Sequence, residues 1–239
     1  MKIAVLSDIH ANLPALEAVM ADMPPIDAVI CLGDVVGYGG NPIECIDFVR
    51  AQGWPTLVGN HDRACTDVDI LQWFNEDAAR AIEWTCGQIG QERLSWLAEL
   101  PETDEFGDEV LLVHGSPRDH IYEYILDAAS AEANLELLDG RKICFHGHTH
   151  VPGIFRYDQG RLIHEYDIDS FRLGGPELVN PGSVGQPRDG DPDASYAVWD
   201  RREGTFEFRR VPYDREAAKT AIRRARLPER FADRLDVGR

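Results

Sequence analysis

Five times in this chain a short apolar run leads into a cluster of Asp, His, Asn and Gly. Ile3-Ala4-Val5-Leu6 leads to Asp8-Ile9-His10, and Ala28-Val29-Ile30-Cys31-Leu32 to Gly33-Asp34-Val35-Val36-Gly37. Thr56-Leu57-Val58 leads to Gly59-Asn60-His61-Asp62, Val110-Leu111-Leu112-Val113 to His114-Gly115, and Ile143-Cys144-Phe145 to Gly147-His148-Thr149-His150. Apolar runs of this length read as buried strands. The polar clusters then lie just past the carboxyl ends of successive strands, where α/β folds build their sites. One such cluster would constrain little, because Asp and His are common in loops. Five placed alike constrain both the fold and the chemistry.

The first half of the chain alternates strand-like and helix-like segments. Leu13, Leu16, Val19, Met20 and Met23 form one helical stripe that Pro24-Pro25 ends. A second helix opens at Pro42 and runs to residue 51, and residues 54–58 read as a third strand. This βαβαβ order predicts a largely parallel sheet with helices on its faces. Residues 66–100 interrupt it with two predicted helices, 75–88 and 91–100. They read as a packing layer and, because they leave directly from the Gly59–Asp62 cluster, as a partial lid. After residue 103 the predicted elements are strands at 110–113, 142–145, 153–157, 161–166, 177–179, 195–200 and 205–211. Turn signals at Asp158-Gln159-Gly160 and Arg202-Glu203-Gly204 separate neighbouring strands. A helix at 128–138 interrupts them, and one at 214–225 follows with Asp214 as its N-cap. The charged residues after it read as a frayed end. The expectation is a single domain over 1–239, with two mixed sheets packed face to face and helices outside.

Composition narrows the function. With 24 basic and 42 acidic residues the formal charge is −18. Such a surface repels nucleic acid and anionic membrane, yet a local metal site can still attract a phosphate. No apolar stretch is long enough to span a membrane, and the start of the chain lacks a signal-peptide pattern, so a cytoplasmic protein is expected. The cysteines at 31, 45, 65, 86 and 144 show no CxxC spacing. They predict neither a disulfide framework nor a thiolate metal site.

The polar clusters suit phosphate-ester hydrolysis, which needs a nucleophile, shielding of phosphoryl charge and help for the leaving oxygen. Two divalent ions roughly 3.5–4 Å apart can supply the first two, with a bridging hydroxide as nucleophile. Asp8 and Asp34 are anionic oxygen donors, either able to bridge; His10, His114, His148 and His150 offer nitrogen, and Asn60 a neutral oxygen. Two dications, two carboxylates and one hydroxide leave a charge of about +1, which attracts a phosphate without trapping it. A nitrogen–oxygen set without thiolate favours Mn, Fe, Co, Ni or Zn over Mg or Ca, with Mn preferred.

The ordered set Asp8-x-His10, Gly33-Asp34-x-x-Gly37, Gly59-Asn60-His61-Asp62, His114-Gly115 and Gly147-His148-x-His150 resembles the calcineurin-like metallophosphoesterase superfamily. The string from Asn180 to Arg188, NPGSVGQPR, is similar to a hallmark of its small prokaryotic branch, so the resemblance covers nearly the whole chain. It implies a four-layer α/β/β/α sandwich. It further implies one metal on Asp8, His10, Asp34 and His150, and a second on Asp34, Asn60, His114 and His148, with Asp34 bridging. His61 would contact the phosphate and assist the leaving group, and Asp62 would orient His61. The Asp-Arg-Gly of protein Ser/Thr phosphatases is missing after Gly37, where Tyr38-Gly39-Gly40-Asn41 stands. That weighs against protein phosphatases and symmetrical dinucleoside tetraphosphatases.

On the substrate side, Arg188 is the candidate phosphate-gripping guanidinium, set against a surface role beside Asp189, Asp191 and Asp193. Ser183 and Tyr38 are further candidate contacts. Trp73, Phe74, Tyr122 and Tyr124 read as packing aromatics, although any could stack on a base. The expected function is hydrolysis of phosphate mono- or diesters of small molecules, nucleotides and dinucleoside polyphosphates included. A non-catalytic scaffold would have lost ligands, and a nuclease would want a basic groove; neither feature is found.

Overall fold

The computed structural model of the chain describes residues 1–166 and 168–239. Its central strands are covered on both faces, which is why their sequences run apolar without alternation. In β1 (Lys2–Leu6), Ile3 and Val5 point to one core and Ala4 and Leu6 to another. β1 pairs in parallel with β2 (Ala28–Cys31) and antiparallel with β10 (Ala194–Asp200). Beyond β10 follow β11 (Thr205–Val211) and β8 (Ser170–Arg172), giving a five-stranded sheet in the order β2-β1-β10-β11-β8. The second sheet has six strands in the order β3-β4-β5-β9-β6-β7. These are Thr103–Phe106, Val110–Val113, Ile143–Phe145, Glu177–Asn180, Gly153–Asp158 and Arg161–Glu165 respectively. β4, β5 and β9 run parallel, and the other pairs are antiparallel.

Between the sheets lie Ile3, Val5, Ile30 and Leu32 against Leu112, Phe145 and Val179, with Trp199 and Phe206 closing the layer. The outer face of the five-stranded sheet packs on α1 (Leu13–Asp22), α2 (Pro42–Gln52) and α4 (Glu76–Ala98). The outer face of the six-stranded sheet packs on α5 (Ala128–Leu135), through Leu135 against Leu111, Cys144 and Leu178. The result is the four-layer α/β/β/α sandwich.

The structure differs from the sequence reading at several points. The largely parallel βαβαβ order holds only between β1 and β2, because β10 inserts antiparallel on the other side of β1. Residues 54–58 make only a bridge between Cys31 and Thr56. Pro55 has no N–H to donate, and Val58 donates instead to the Pro101 carbonyl, so the ladder stops there. The Gly59–Asp62 cluster is not all loop: α3 (Asn60–Thr66) starts inside it. β3 and β8, short and partly charged, were not anticipated. The two helices expected in 66–100 are present as two arms of α4, joined at Gly90 (φ 72°, ψ 165°), after a 3-10 segment Val68–Trp73. The end of the chain is folded. After α6 (Arg215–Arg224), which Asp214 caps as expected, α7 (Glu229–Arg234) buries Phe231 fully against Tyr38. The charged residues of α7 are exposed except Arg234, which is half-buried, and Lys219 reaches Asp236 at 2.7 Å.

Candidate metal centre

The clusters converge at one end of the two sheets, laced by backbone hydrogen bonds. Asp8 N–H donates to Gly33 O, His10 N–H to Asp34 O, Gly147 N–H to His114 O and Gly185 N–H to Asp8 O, all at 2.9–3.0 Å. Asp8, His10, Asp34, His148 and His150 hold φ between 49° and 67°, a region that non-glycine residues seldom adopt. The loop lacing holds them there, and strain of this kind gathers at functional sites.

Two buried groups of ligand-type side chains result. Asp8, His10, Asp34 and His150 bring one ligand atom each to within 4.8 Å of the others, and so do Asp34, His114 and His148. Asp34 belongs to both. Asn60 Oδ1 lies 3.2 Å from His114 Nε2, on the second group.

The chemistry of the donor set fits a cation in each group. His10 Nδ1 lies 3.0 Å from Val36 O, His114 Nδ1 2.9 Å from Leu32 O, and His150 Nδ1 2.6 Å from Gln186 O. A carbonyl only accepts, so each of these nitrogens carries a proton and the ring, when neutral, presents a bare Nε2. His10 Nε2 and His150 Nε2 then face each other, lone pair to lone pair, at 3.0 Å. His148 is turned the other way: its Nε2 donates to Tyr122 O at 3.1 Å, which frees Nδ1 for the centre. Asp8 Oδ1 and Asp34 Oδ2 are buried without any hydrogen-bond partner among the described residues. Such atoms are unfavourable unless a positive charge meets them. The donor-to-donor edges run from 3.0 Å (His10 to His150) to 3.7 Å (Asp8 to His10). Bonds of about 2.0–2.2 Å to one ion generate edges of about 3.0–3.6 Å.

Electrostatics agree. Burial alone would raise the Asp8 and Asp34 carboxyls, but the surrounding histidines outweigh it and hold both well below the usual range. Burial also opposes protonation of His114, yet the Asp34 carboxylate 3.4 Å away pushes it up to about 9. In the metal-free protein a proton thus takes part of the place a cation would fill.

His61 is buried, with its ring 4.4 Å from Tyr38, 4.9 Å from His10 and 5.2 Å from Phe74. Burial depresses it to about 4, against the pull of Asp34. Its Nδ1 has no partner among the described residues. The expectation that Asp62 orients His61 is therefore corrected. The Asp62 carboxylate is taken up by the N–H groups of Gly59, Val35 and Val36 at 3.1–3.2 Å, so it ties the second and third clusters together.

Ser183 is also corrected. It is fully buried, donates to Asp8 O at 2.8 Å and accepts from Gln186 N–H at 2.8 Å, so it braces the first cluster and has no hydrogen left for a substrate. Tyr38 is wedged between His10 and His61, and its hydroxyl accepts from Arg188 at 3.2 Å. Arg188 has no acidic partner among the described residues. Asp189 and Asp191 pair with Arg210 and Asp193 with Arg215, which removes the acids that would have made Arg188 an ordinary surface ion pair. The carbonyls of Leu32, Val36, Tyr122 and Gln186, which fix the histidine tautomers, were not anticipated; backbone acceptors leave no signal in a sequence.

A mixed α/β/β/α sandwich with two carboxylate–histidine groups sharing one Asp defines a metallophosphoesterase type of site. Residues 1–204 match the calcineurin-like phosphoesterase superfamily domain, and the chain belongs to that family. The uncharacterized protein MJ0912 of Methanocaldococcus jannaschii is 39% identical over 99% of this chain and 98% of its own. Phosphodiesterase YfcE of Escherichia coli strain K12 is 26% identical over 84% of this chain and 88% of its own. Among solved structures, a metallophosphoesterase from Sphaerobacter thermophilus is 41% identical, with a TM-score of 0.90 and full coverage of both chains. Hypothetical protein PH1004 from Pyrococcus horikoshii OT3 shares the fold with a TM-score of 0.81 at 21% identity, over 100% of this chain and 98% of its own.

Proposed function

We propose that this chain is a dinuclear metal-dependent phosphohydrolase. The observation that carries the reading is the Asp34 carboxylate, common to two buried ligand groups and left with Oδ2 unpartnered between His10 at 3.5 Å and His114 at 3.4 Å. One ion would be held by Asp8, His10, Asp34 and His150, and the other by Asp34, Asn60, His114 and His148. When bound, two such ions supply an activated water and shield the phosphoryl charge. The donor types favour Mn, Fe, Co, Ni or Zn over Mg or Ca.

The chain's own residues do the rest. Arg188, without an acid of its own, is placed to grip a phosphate oxygen, with Tyr38 holding the guanidinium by its hydroxyl. The His61 ring lines the cavity beside the metal centre, and Asp34 Oδ1 accepts its backbone N–H at 2.8 Å. His61 contacts the phosphate and passes a proton to the departing oxygen; an anion beside it would raise its depressed affinity for that proton. The substrates are phosphate mono- or diesters of small molecules, a class that includes nucleotides and dinucleoside polyphosphates, and the naming of the E. coli relative supports activity on diesters. The protein is read as cytoplasmic, and its −18 charge argues against nucleic-acid and membrane partners. No helix among the described residues is long and apolar enough to cross a membrane.

The test is a panel of phosphate mono- and diesters with metal-stripped protein re-supplied with one metal at a time. Roughly two ions per chain should bind, with Mn or Ni restoring more activity than Mg. Full activity in protein verified as metal-free would refute the proposal.

A further inference from the structure

A cavity of about 340 Å³ opens beside the metal centre, with His61, Asn60 and His148 in its floor. Its walls come from two elements that carry no metal ligand: the 3-10 segment ending at Trp73, and the loop holding Tyr122 and Tyr124. These aromatics were expected to pack, and two of them pack only in part. Trp73 is 70% exposed and touches Tyr122 only edge-on, with ring centroids 6.0 Å apart. Tyr124 stacks one face on His148 at 3.8 Å and remains 45% exposed. An indole mostly open to water and a phenol ring with one open face, both at one cavity, forgo burial that large aromatics normally obtain.

We propose that this cleft binds the nucleobase of a mononucleotide substrate, between Trp73 and Tyr124, while the phosphate lies at the metal centre. The reasoning is chemical. Every nucleobase offers a flat π-face, and stacking on aromatic side chains is the sequence-tolerant way to hold one. The rim also carries polar groups suited to a base edge. Asn75 uses its Oδ1 for Ala78 N–H and Arg230, leaving its amide N–H₂ as a donor without a protein acceptor among the described residues. Asp119 uses Oδ1 for the Ile121 and Tyr122 N–H groups, leaving Oδ2 as an acceptor. A plain aryl group would use the stack but not these. The volume lies at the small end of ligand pockets and suits one nucleoside, not two. A mononucleoside ester is thus favoured over a dinucleoside polyphosphate with both bases held.

The proposal rests on the phosphoesterase reading, so its test has a binding arm and a turnover arm. Adenosine, which has no phosphate, is titrated into Mn-loaded protein while tryptophan fluorescence is followed. Saturable quenching is expected in the native protein and its loss in Trp73→Ala. In turnover, the ratio of kcat/KM for adenosine or uridine 5′-monophosphate to that for glycerol phosphate should exceed one, and fall roughly tenfold in Trp73→Ala and in Tyr124→Ala, as loss of a base stack implies. Asn75→Ala should lower nucleotide turnover more than phenyl phosphate turnover. Quenching by adenosine without hydrolysis of any ester would sink the phosphoesterase reading and leave the base cleft standing. Hydrolysis of glycerol phosphate as efficient as that of nucleotides, with no effect of Trp73→Ala, would overturn the cleft and leave the phosphoesterase. Equal losses for phenyl phosphate and nucleotides in both Trp73→Ala and Asn75→Ala would overturn the nucleobase in favour of an unspecific aryl slot.

Discussion

Adding one methyl group at Gly59 isolates the packing that positions Asp34. The backbone there is extended (φ −92°, ψ 173°), so alanine fits without conformational penalty. All of the effect is steric: a Cβ at Gly59 would land on Asp34 Oδ1 and on its backbone N, and the backbone atom cannot rotate out of the way. Overpacking of this kind destabilises by about 1–3 kcal/mol. Asp34 Oδ1 also accepts the His61 N–H at 2.8 Å. Pushing it away weakens a hydrogen bond to a charged group, worth about 1.5–3 kcal/mol. We therefore expect Gly59→Ala to lose about 2–4 kcal/mol in urea unfolding of the metal-free protein, and to bind Mn at least tenfold more weakly by calorimetry, since a loss of about 1.4 kcal/mol suffices for that. Gly87→Ala is the control. Gly87 lies within α4 and its added Cβ meets nothing within 4 Å, so alanine should stabilise by about 0.5–1 kcal/mol through helix propensity and leave metal binding unchanged. Wild-type stability and Mn affinity in Gly59→Ala would refute the claim that close packing at this glycine sets the Asp34 carboxylate.

Asp34→Asn should abolish turnover and loosen both ions by elemental analysis, whereas Asn60→Ala should mainly weaken one; unchanged metal content in Asp34→Asn would contradict a shared ligand. His61→Ala should keep its metals and retain part of its p-nitrophenyl ester activity, but lose about 10²–10⁴-fold on alkyl or nucleoside esters, whose leaving groups need the proton. An equal fall for good and poor leaving groups would assign His61 to phosphate binding alone. Phe231→Ala should destabilise by about 3–5 kcal/mol in denaturant, because the side chain is fully buried against Tyr38 and its neighbours; a loss under 1 kcal/mol would mean that α7 is not a stable part of the fold.

Much of the site was legible because its signal is local. A strand that must be buried on both faces reads as an apolar run, and the ligand-type residue after it belongs to the same few positions of sequence, so Asp8, Asp34, His114 and the 148–150 pair could be marked without knowing which strands pair. Helix limits at Pro42 and Asp214 were likewise set by residues at the helix ends themselves. What the chain does over long separations was not legible. Nothing near β1 states that its antiparallel neighbour lies almost two hundred residues away, in β10. The end of the chain is rich in charge, and only its packing sets Phe231 against Tyr38. Side-chain roles divided the same way. Asp62 and Ser183 are polar residues beside ligands, and only the fold shows that backbone groups consume their hydrogen bonds. Arg188 kept its candidacy because Arg210 and Arg215, from β11 and α6, neutralise the acids beside it. Local sequence fixes which atoms a residue can offer; tertiary structure decides which of those atoms remain unpaired, and an unpaired atom is what a metal or a substrate can bind.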